Sequence, residues 1–175
     1  MIRSFVVIIP LLSLSVLTFK YNDIPEQYRE LLPPEAKEFL SGLTDEDKAA
    51  LKEVFKSSKE YANDEEFVAE VTKKSADLGA KVKKLTDLMK KKVDALKPEA
   101  QAFAKDLIER ARKIRNRYFA DDQPKKSILK EAGLETIKKY KELSDEAKED
   151  FKKEFPALTA VLTSDKTLKR LETLN

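Results

Sequence analysis

Apolar residues recur at intervals of three and four along residues 98–118, and this period constrains the fold more than any other feature of the chain. An α-helix has 3.6 residues per turn, so this spacing places the apolar side chains on one helix face. The stripe consists of Ala100, Phe103, Leu107, Ala111, Ile114 and Tyr118. A helix with one apolar face must bury it against other elements, which predicts a packed helical protein.

The same spacing recurs in residues 63–96 and 127–141. The two stripes consist of Phe67, Val71, Leu78, Val82, Leu85 and Met89 in the first range and Ile128, Leu129, Ala132, Ile137 and Tyr140 in the second. Ser75 or Gly79 is the candidate break within the longer range. Because no segment after the N-terminal region alternates as a strand would, the sequence predicts an all-α single domain of about eight to eleven unequal amphipathic helices.

Prolines and capping residues predict where the helices begin and end. Pro34 and Pro98 suit the first helical turn, and Thr44 and Ser144 suit N-cap positions. Gly42 is expected to end the helix that begins at Pro34, in a left-handed conformation. Shorter helices are expected near residues 25–32, 157–162 and 167–174, with Pro156 ending the helix before the last two.

The composition excludes several functional classes. The chain contains no cysteine, no histidine and only three glycines. Ser-His-Asp and Cys-His catalysis, zinc sites built from Cys or His, and glycine-rich nucleotide loops are therefore excluded. An enzyme that uses Lys, Tyr or carboxylate groups remains open, but we expect a protein that is not an enzyme and holds no cofactor or metal.

The N-terminal region predicts a cleaved secretory signal peptide, and therefore an extracellular protein. Arg3 precedes an apolar run over residues 5–17, which is shorter than the ~20 residues that a spanning helix needs. We assign residues 1–18 to the signal and residues 19–175 to the helical domain, although no A-x-A sequence marks the cleavage site. A buried first helix is the alternative interpretation.

The charged residues do not indicate a nucleic-acid partner. Lys and Arg total 35 against 32 Asp and Glu, and the basic runs at residues 90–92 and 110–117 lack the interleaved aromatics of a single-strand binder. These runs favour a solvated helix face, with transient attraction to anionic membrane surfaces as a weaker alternative. The stripe over residues 67–96 is also compatible with a coiled-coil interaction protein, and the pattern does not decide the oligomeric state.

Buried stripes can surround either a solid core or a lipid cavity, and their periodicity does not distinguish the two. Arg110 and Arg115 lie at the two edges of the stripe in residues 98–118. An arginine at such an edge can keep its guanidinium at the boundary of an apolar site and meet a ligand carboxylate. The alternative is that both arginines are solvated or paired with nearby acids.

Three blocks of the chain carry a family resemblance. They read IPEQYRELLPPEAKEFLSGLTDEDKAALKEV, LKPEAQAFAKDLIERARKIR and KYKELSDEAKEDFKKEFPALTAVLTSDK. In this order and approximate spacing they resemble the nematode fatty acid and retinol binding proteins over nearly all of residues 19–175. The resemblance implies a secreted helical carrier with an internal apolar cavity for fatty acids and retinol, and no catalysis.

The resemblance favours a cavity over a solid core, and the stripes then predict its lining. We expect the apolar part of the ligand to lie among helices of residues 67–89, 103–114 and 128–137, with Arg110 or Arg115 at the carboxylate of a fatty acid. The predicted lining residues are Phe67, Val71, Leu78, Val82, Leu85, Met89, Phe103, Leu107, Ala111, Ile114, Ile128 and Ile137.

Thr44 has two interpretations. The resemblance implies a kinase-type motif in residues 43–48, with Thr44 as the phosphate acceptor. Thr44 also precedes Asp45, Glu46 and Asp47, which suit the positive end of a helix. A related stretch 100 residues later has Ser144 followed by Ala147 in place of the third acid. Capping explains both stretches and phosphorylation only the first, so we favour the N-cap.

Overall fold

The structure of the protein, a computed structural model, describes residues 26, 30, 34–57, 63–119 and 126–173. Within these ranges it contains nine α-helices and no β-strand. They are α1 (Pro34–Ser41), α2 (Asp45–Ser57), α3 (Asp64–Lys74), α4 (Ala76–Asp94), α5 (Pro98–Phe119), α6 (Lys126–Glu142), α7 (Asp145–Glu154), α8 (Pro156–Leu162) and α9 (Asp165–Glu172). The predicted all-α fold is confirmed. The predicted signal peptide lies outside the described residues, as does most of the predicted helix near residues 25–32.

Several predicted helix ends are confirmed. Pro98 begins α5, and Pro156 stands at the start of α8. The Oγ atom of Ser144 accepts a hydrogen bond from the N–H of Ala147 and caps α7. The predicted start of the last helix at residue 167 was wrong, because Ser164 caps the N-terminus of α9 and the helix begins at Asp165.

The predicted conformation of Gly42 was also wrong. Helix α1 does end at Ser41, but the φ angle of Gly42 lies outside the left-handed region. Its N–H donates to the carbonyl of Glu38 at 2.9 Å, which continues the hydrogen-bond pattern of the helix. A Cβ atom built on Gly42 would lie 2.9 Å from that same oxygen, so close approach rather than φ favours glycine here.

Ser75, not Gly79, breaks the long tract into α3 and α4. The N–H of Ser75 donates to the carbonyl of Val71 at the end of α3, while its Oγ accepts from the N–H of Leu78 in the first turn of α4. One residue therefore serves both helix ends. Gly79 has a different role, because a Cβ there would lie 2.7 Å from the Cα of Thr72 on α3. The two helices approach each other at backbone distance.

Helices α1 to α4 enclose the first of two buried groups of apolar side chains, which we call the N-terminal cluster. Its members are Phe39, Leu43, Leu51, Val54, Phe55, Phe67, Val71, Leu78 and Val82. The rings of Phe55 and Phe67 stack with their centroids 4.9 Å apart. Stacked aromatic pairs add to the stability that burial of their apolar area already provides.

The end of α4 and helices α5 to α9 form the second group, which we call the C-terminal cluster. Its members are Val93, Leu96, Ala100, Phe103, Ala104, Leu107, Ile137, Tyr140, Ala147, Phe151, Phe155, Leu158, Leu162 and Leu171. Phe151 is fully buried and lies 5.1 Å, centroid to centroid, from both Phe103 and Phe155. This aromatic group fixes how α5 and α7 pack.

Helix α4 belongs to both clusters. Leu78 and Val82 lie in the N-terminal cluster, whereas Val93 lies in the C-terminal cluster. The helix has 19 residues, and a rise of about 1.5 Å per residue gives it a length of roughly 28 Å. It therefore extends along one side of both groups.

Candidate functional site

Most of the predicted lining residues divide between the two clusters. The N-terminal cluster contains Phe67, Val71, Leu78 and Val82, with Leu85 packed against it, and the C-terminal cluster contains Phe103, Leu107 and Ile137, with Met89 packed against it. Ala111 is buried, and Ile114 and Ile128 are half-buried. The structure thus brings nine of the twelve predicted residues together as two groups rather than one continuous lining, and these last three residues belong to neither group. Their contact with a ligand stays a prediction.

In the middle of α4, residues that pack against one cluster are followed within one turn by residues that pack against the other. Leu85 packs against the N-terminal cluster and Met89, one turn later, packs against the C-terminal cluster. Leu88 lies between them, and all three side chains are half-buried. We call these three residues the α4 junction. It offers apolar side chains that the fold covers only in part.

Arg110 lies in a group of four charged side chains that joins α5 to α6. Its Nε donates to Asp106 at 2.8 Å, and its Nη1 pairs with Glu135 at 2.5 Å. The Nζ of Lys139 lies 3.1 Å from the same carboxylate of Asp106. The alternative in which Arg110 pairs with nearby acids is therefore observed, with one acid on its own helix and one on α6.

The charge network shifts the pKa values of its members. Burial alone would raise the pKa of the Asp106 carboxyl, but hydrogen bonds from Arg110 and Lys139 together outweigh burial and hold this pKa below its ordinary value. The hydrogen bond that Arg110 donates to Glu135 likewise lowers the pKa of Glu135, and the same hydrogen bond raises the pKa of Arg110. The Arg110 side chain is 26% exposed, so its charged group lies at the boundary between protein and solvent. The side chain of Arg115 lies outside the described residues.

A pair of buried polar side chains in the C-terminal half could not be predicted from the sequence. Tyr140 on α6 and Thr159 on α8 are both buried. Burial raises the pKa of the Tyr140 phenol, and the hydroxyl of Thr159 is close enough to oppose part of that rise. Sequence reasoning assigned no role to Thr159, because a short apolar helix of seven residues shows no period that would separate its faces.

Thr44 caps α2 as predicted. Its Oγ1 accepts from the N–H of Asp47 at 3.1 Å, and the carboxylate of Asp47 accepts from the N–H of Thr44 at 3.2 Å. These reciprocal bonds form a capping box in which Asp replaces the usual Glu. Asp47 also pairs with Lys81 on α4. Thr44 is exposed, and its phosphorylation stays a prediction.

At Ser144, the acidic side chain that accepts from the N-cap residue comes from another helix. Glu99, in the first turn of α5, accepts from the N–H of Ser144 at 2.9 Å and from its hydroxyl at 2.6 Å. The hydrogen bond from the Ser144 hydroxyl is the main reason that the pKa of Glu99 lies below its ordinary value, and the hydrogen bond from the Ser144 N–H contributes next. Glu99 thus accepts a hydrogen bond from the backbone N–H of Ser144, as Asp47 accepts one from the backbone N–H of Thr44. Ala147, at the position that corresponds to Asp47, is free to be buried in the C-terminal cluster.

The described part of the chain also bears on metal binding and on membrane insertion. No group of three or more metal-binding side chains lies close enough together there to hold a metal ion. Of the helices in those same ranges, none combines the length and the hydropathy needed to cross a membrane.

Unequal amphipathic helices around two apolar clusters place the chain among all-helical proteins without disulfides. Comparison with known proteins then gives the family. A family model described as nematode fatty acid retinoid binding protein (Gp-FAR-1) matches residues 26–174. The chain belongs to this family, which confirms the resemblance found in its sequence blocks.

Individual relatives agree with the family assignment over most of their length. Fatty-acid and retinol-binding protein 1 of Caenorhabditis elegans is 41% identical over 146 residues, which is 83% of this chain and 80% of the relative. Fatty-acid and retinol-binding protein 2 of the same organism is 39% identical over 95% of this chain and 94% of its own length. The solved structure of the fatty acid and retinol binding protein Na-FAR-1 from Necator americanus is 50% identical, covers 88% of this chain and 99% of its own, and has a TM-score of 0.71.

Proposed function

We propose that this chain is a secreted carrier that binds long-chain fatty acids and retinol and performs no catalytic step. The observation that carries the proposal is the match of nearly the whole described chain to relatives named for these two ligands. The energetic argument is that each methylene removed from water contributes ~0.8 kcal/mol. A long apolar ligand can therefore bind tightly through contacts with aliphatic and aromatic side chains alone.

The α4 junction is the proposed point of entry for the apolar part of the ligand. Leu85, Leu88 and Met89 are half-buried, so a ligand that covers them removes apolar surface from water. Methionine is unbranched and adapts to ligands of different shape. From the junction the ligand chain would extend toward side chains that α4 and α5 contribute to the two clusters.

Arg110 is the proposed partner of a fatty-acid carboxylate. A guanidinium has five N–H donors on three nitrogens, and the ion pairs with Asp106 and Glu135 occupy Nε and Nη1. A ligand carboxylate can meet the remaining donors or replace Glu135, which is 47% exposed. Retinol has no charge to place there, so the two ligands should depend differently on Arg110.

Titration of delipidated protein with an environment-sensitive fluorescent fatty acid tests the carrier function. We expect saturable, blue-shifted emission, because the probe leaves water for an apolar site. Unlabelled oleate and retinol should displace the probe, while butyrate, which has too few methylenes, should not. Emission that rises linearly without saturation would instead support the alternative of a helical interaction protein with a filled core.

Substitution Arg110→Gln tests the head-group assignment. We expect fatty-acid affinity to fall about tenfold, since a charge-assisted hydrogen bond is lost, and retinol affinity to change little. Arg112→Gln is the matched control, because Arg112 pairs with Asp64 on α3 and lies away from the network around Arg110. If the double variant Arg110→Gln, Arg115→Gln retains full fatty-acid affinity, the head group binds elsewhere, although the carrier function would stand.

Secretion and membrane contact belong to the same proposal. Arg3 and the apolar run over residues 5–17 support a signal peptide, and the exposed Lys90 and Lys91 on α4 suit transient contact with an anionic membrane surface. Native mass spectrometry of protein from its natural source would give the mature N-terminus and the mass of any copurified lipid. A mature chain that still begins at Met1 would argue against secretion.

A further inference from the structure

The Thr159 hydroxyl differs from those of three other threonines that lie in described helices or at their ends. Thr72, Thr136 and Thr163 each donate to the carbonyl four residues earlier, at 2.7 to 2.8 Å. A threonine in or at the end of a helix commonly satisfies its hydroxyl in this way. Thr159 makes no such bond, and its Oγ1 has no hydrogen-bond partner in the structure. Its hydroxyl therefore does not use the acceptor that its own helix provides.

The surroundings of this hydroxyl make its lack of a partner costly. Thr159 is only 7% exposed, and its neighbours on α8, Leu158 and Val161, are buried too. Helix α8 packs against α6, α7 and α9. A buried polar group without a partner loses its hydrogen bonds to water and gains nothing in return. Such a group is expected to meet a partner that enters from outside the polypeptide.

The chemistry of the site favours a neutral ligand group. The Thr159 hydroxyl can donate one hydrogen bond and accept others, and the phenol of Tyr140 lies close by. The C-terminal cluster around them consists of apolar and aromatic side chains. A carboxylate there would be a buried charge without a counter-ion, which is strongly unfavourable. An alcohol carries no charge and can both donate to one hydroxyl and accept from the other.

We propose that Thr159, together with the phenol of Tyr140, binds the hydroxyl group of a long apolar alcohol within the C-terminal cluster. Retinol has this chemistry. The inference rests on the proposed carrier function. It extends that function, because it assigns the polar groups of the two ligand classes to different places in the protein. A fatty-acid carboxylate lies at the partly exposed Arg110, and the hydroxyl of retinol lies at the buried Thr159.

Substitution Thr159→Val removes the hydroxyl and keeps the side-chain shape. The test measures the affinity of wild type and variant for retinol and for its deoxy analogue, the same hydrocarbon without the hydroxyl. We expect Thr159→Val to weaken retinol binding about tenfold and to change binding of the deoxy analogue less than threefold. Thr159→Ser keeps the hydroxyl and should retain the wild-type preference for retinol over the analogue.

Thr136→Val is the matched control. Thr136 is also buried, but its hydroxyl donates to the carbonyl of Ala132, so its removal should leave the preference for retinol unchanged. Thermal unfolding separates the two variants as well. Thr159→Val should be at least as stable as wild type, because it removes an unsatisfied polar group, whereas Thr136→Val loses an existing hydrogen bond.

The outcomes distinguish this inference from the carrier function. If wild-type protein binds neither the fluorescent fatty acid nor retinol, the carrier function fails. If wild-type protein binds both but Thr159→Val weakens retinol and its deoxy analogue equally, Thr159 only shapes the site and the inference fails alone. Unchanged retinol affinity in Thr159→Val would also overturn it, since the hydroxyl would then be satisfied by water or by Tyr140. If Thr159→Val does not fold, the comparison of Thr159→Ser with Thr159→Ala decides the same question.

Discussion

Replacing Phe151 with alanine is expected to lower the free energy of unfolding by about 3–5 kcal/mol. Phe151 is completely buried, and its ring lies within 5.1 Å of Phe103 and Phe155 and 6.0 Å of Tyr140, measured between centroids. Removal of the ring leaves a space lined by three other rings, each held by a different helix or helix end. Such surroundings can collapse only in part, so the cavity adds to the loss of burial.

Urea denaturation at low temperature measures this effect, because a domain with a total stability of about 5–15 kcal/mol would be left with a small margin. Phe151→Leu is the matched control. It keeps most of the side-chain volume and should cost clearly less than the alanine variant. A loss below about 1 kcal/mol for Phe151→Ala would contradict the close packing of the aromatic group in the C-terminal cluster.

The second large effect is expected at Gly79. In an exposed helix, replacing glycine with alanine stabilises by about 1 kcal/mol. At Gly79 the added Cβ would lie 2.2 Å from the Oγ1 of Thr72 and 2.7 Å from its Cα. The second of these atoms belongs to the backbone, so α3 and α4 must move apart. We expect Gly79→Ala to destabilise the protein by about 2 kcal/mol instead, since overpacking of this kind typically costs 1–3 kcal/mol.

Gly133→Ala provides the control for Gly79→Ala. A Cβ on Gly133 would lie 2.7 Å from a terminal methyl carbon of Leu171, which a change of side-chain rotamer can move away. Its effect should be smaller, and the second substitution Leu171→Ala would remove the clash altogether. By contrast, Thr72→Ala should not rescue Gly79→Ala, because the Cα of Thr72 remains. A more stable Gly79→Ala variant in thermal unfolding would show that α3 and α4 are not in such close contact.

The ends of helices could be predicted from the sequence because capping depends on neighbouring residues. Thr44 with Asp47, and Pro98 at the start of α5, are local patterns that physical chemistry explains without knowledge of the fold. The role of Glu99 could not be predicted in this way. Its partner Ser144 is 45 residues away, and only the packing of α5 against α7 brings the two together.

The same distinction applies to the candidate site. The position of Arg110 at the edge of its stripe follows from the helical period, and Asp106 lies one turn earlier on the same helix. The pairing with Glu135 depends on how α5 and α6 meet, which a stripe does not specify. The stripes led to the prediction of a single continuous lining for a similar reason. Periodicity shows which face of a helix is apolar, but not which other helices that face packs against. The structure assigns those faces to two clusters.

The extension of α4 along both clusters has a consequence for cooperativity. If the N-terminal cluster alone opened, α4 would keep its place against the C-terminal cluster but expose the face that carries Leu78 and Val82. Opening of the C-terminal cluster would expose Val93 at the other end of the same helix. Because α4 is continuous, movement of one of its halves weakens the contacts that its other half makes with the second cluster. We therefore expect the two halves to unfold as one unit rather than as two independent foldons, and a lipid bound to the folded protein to slow hydrogen exchange in both.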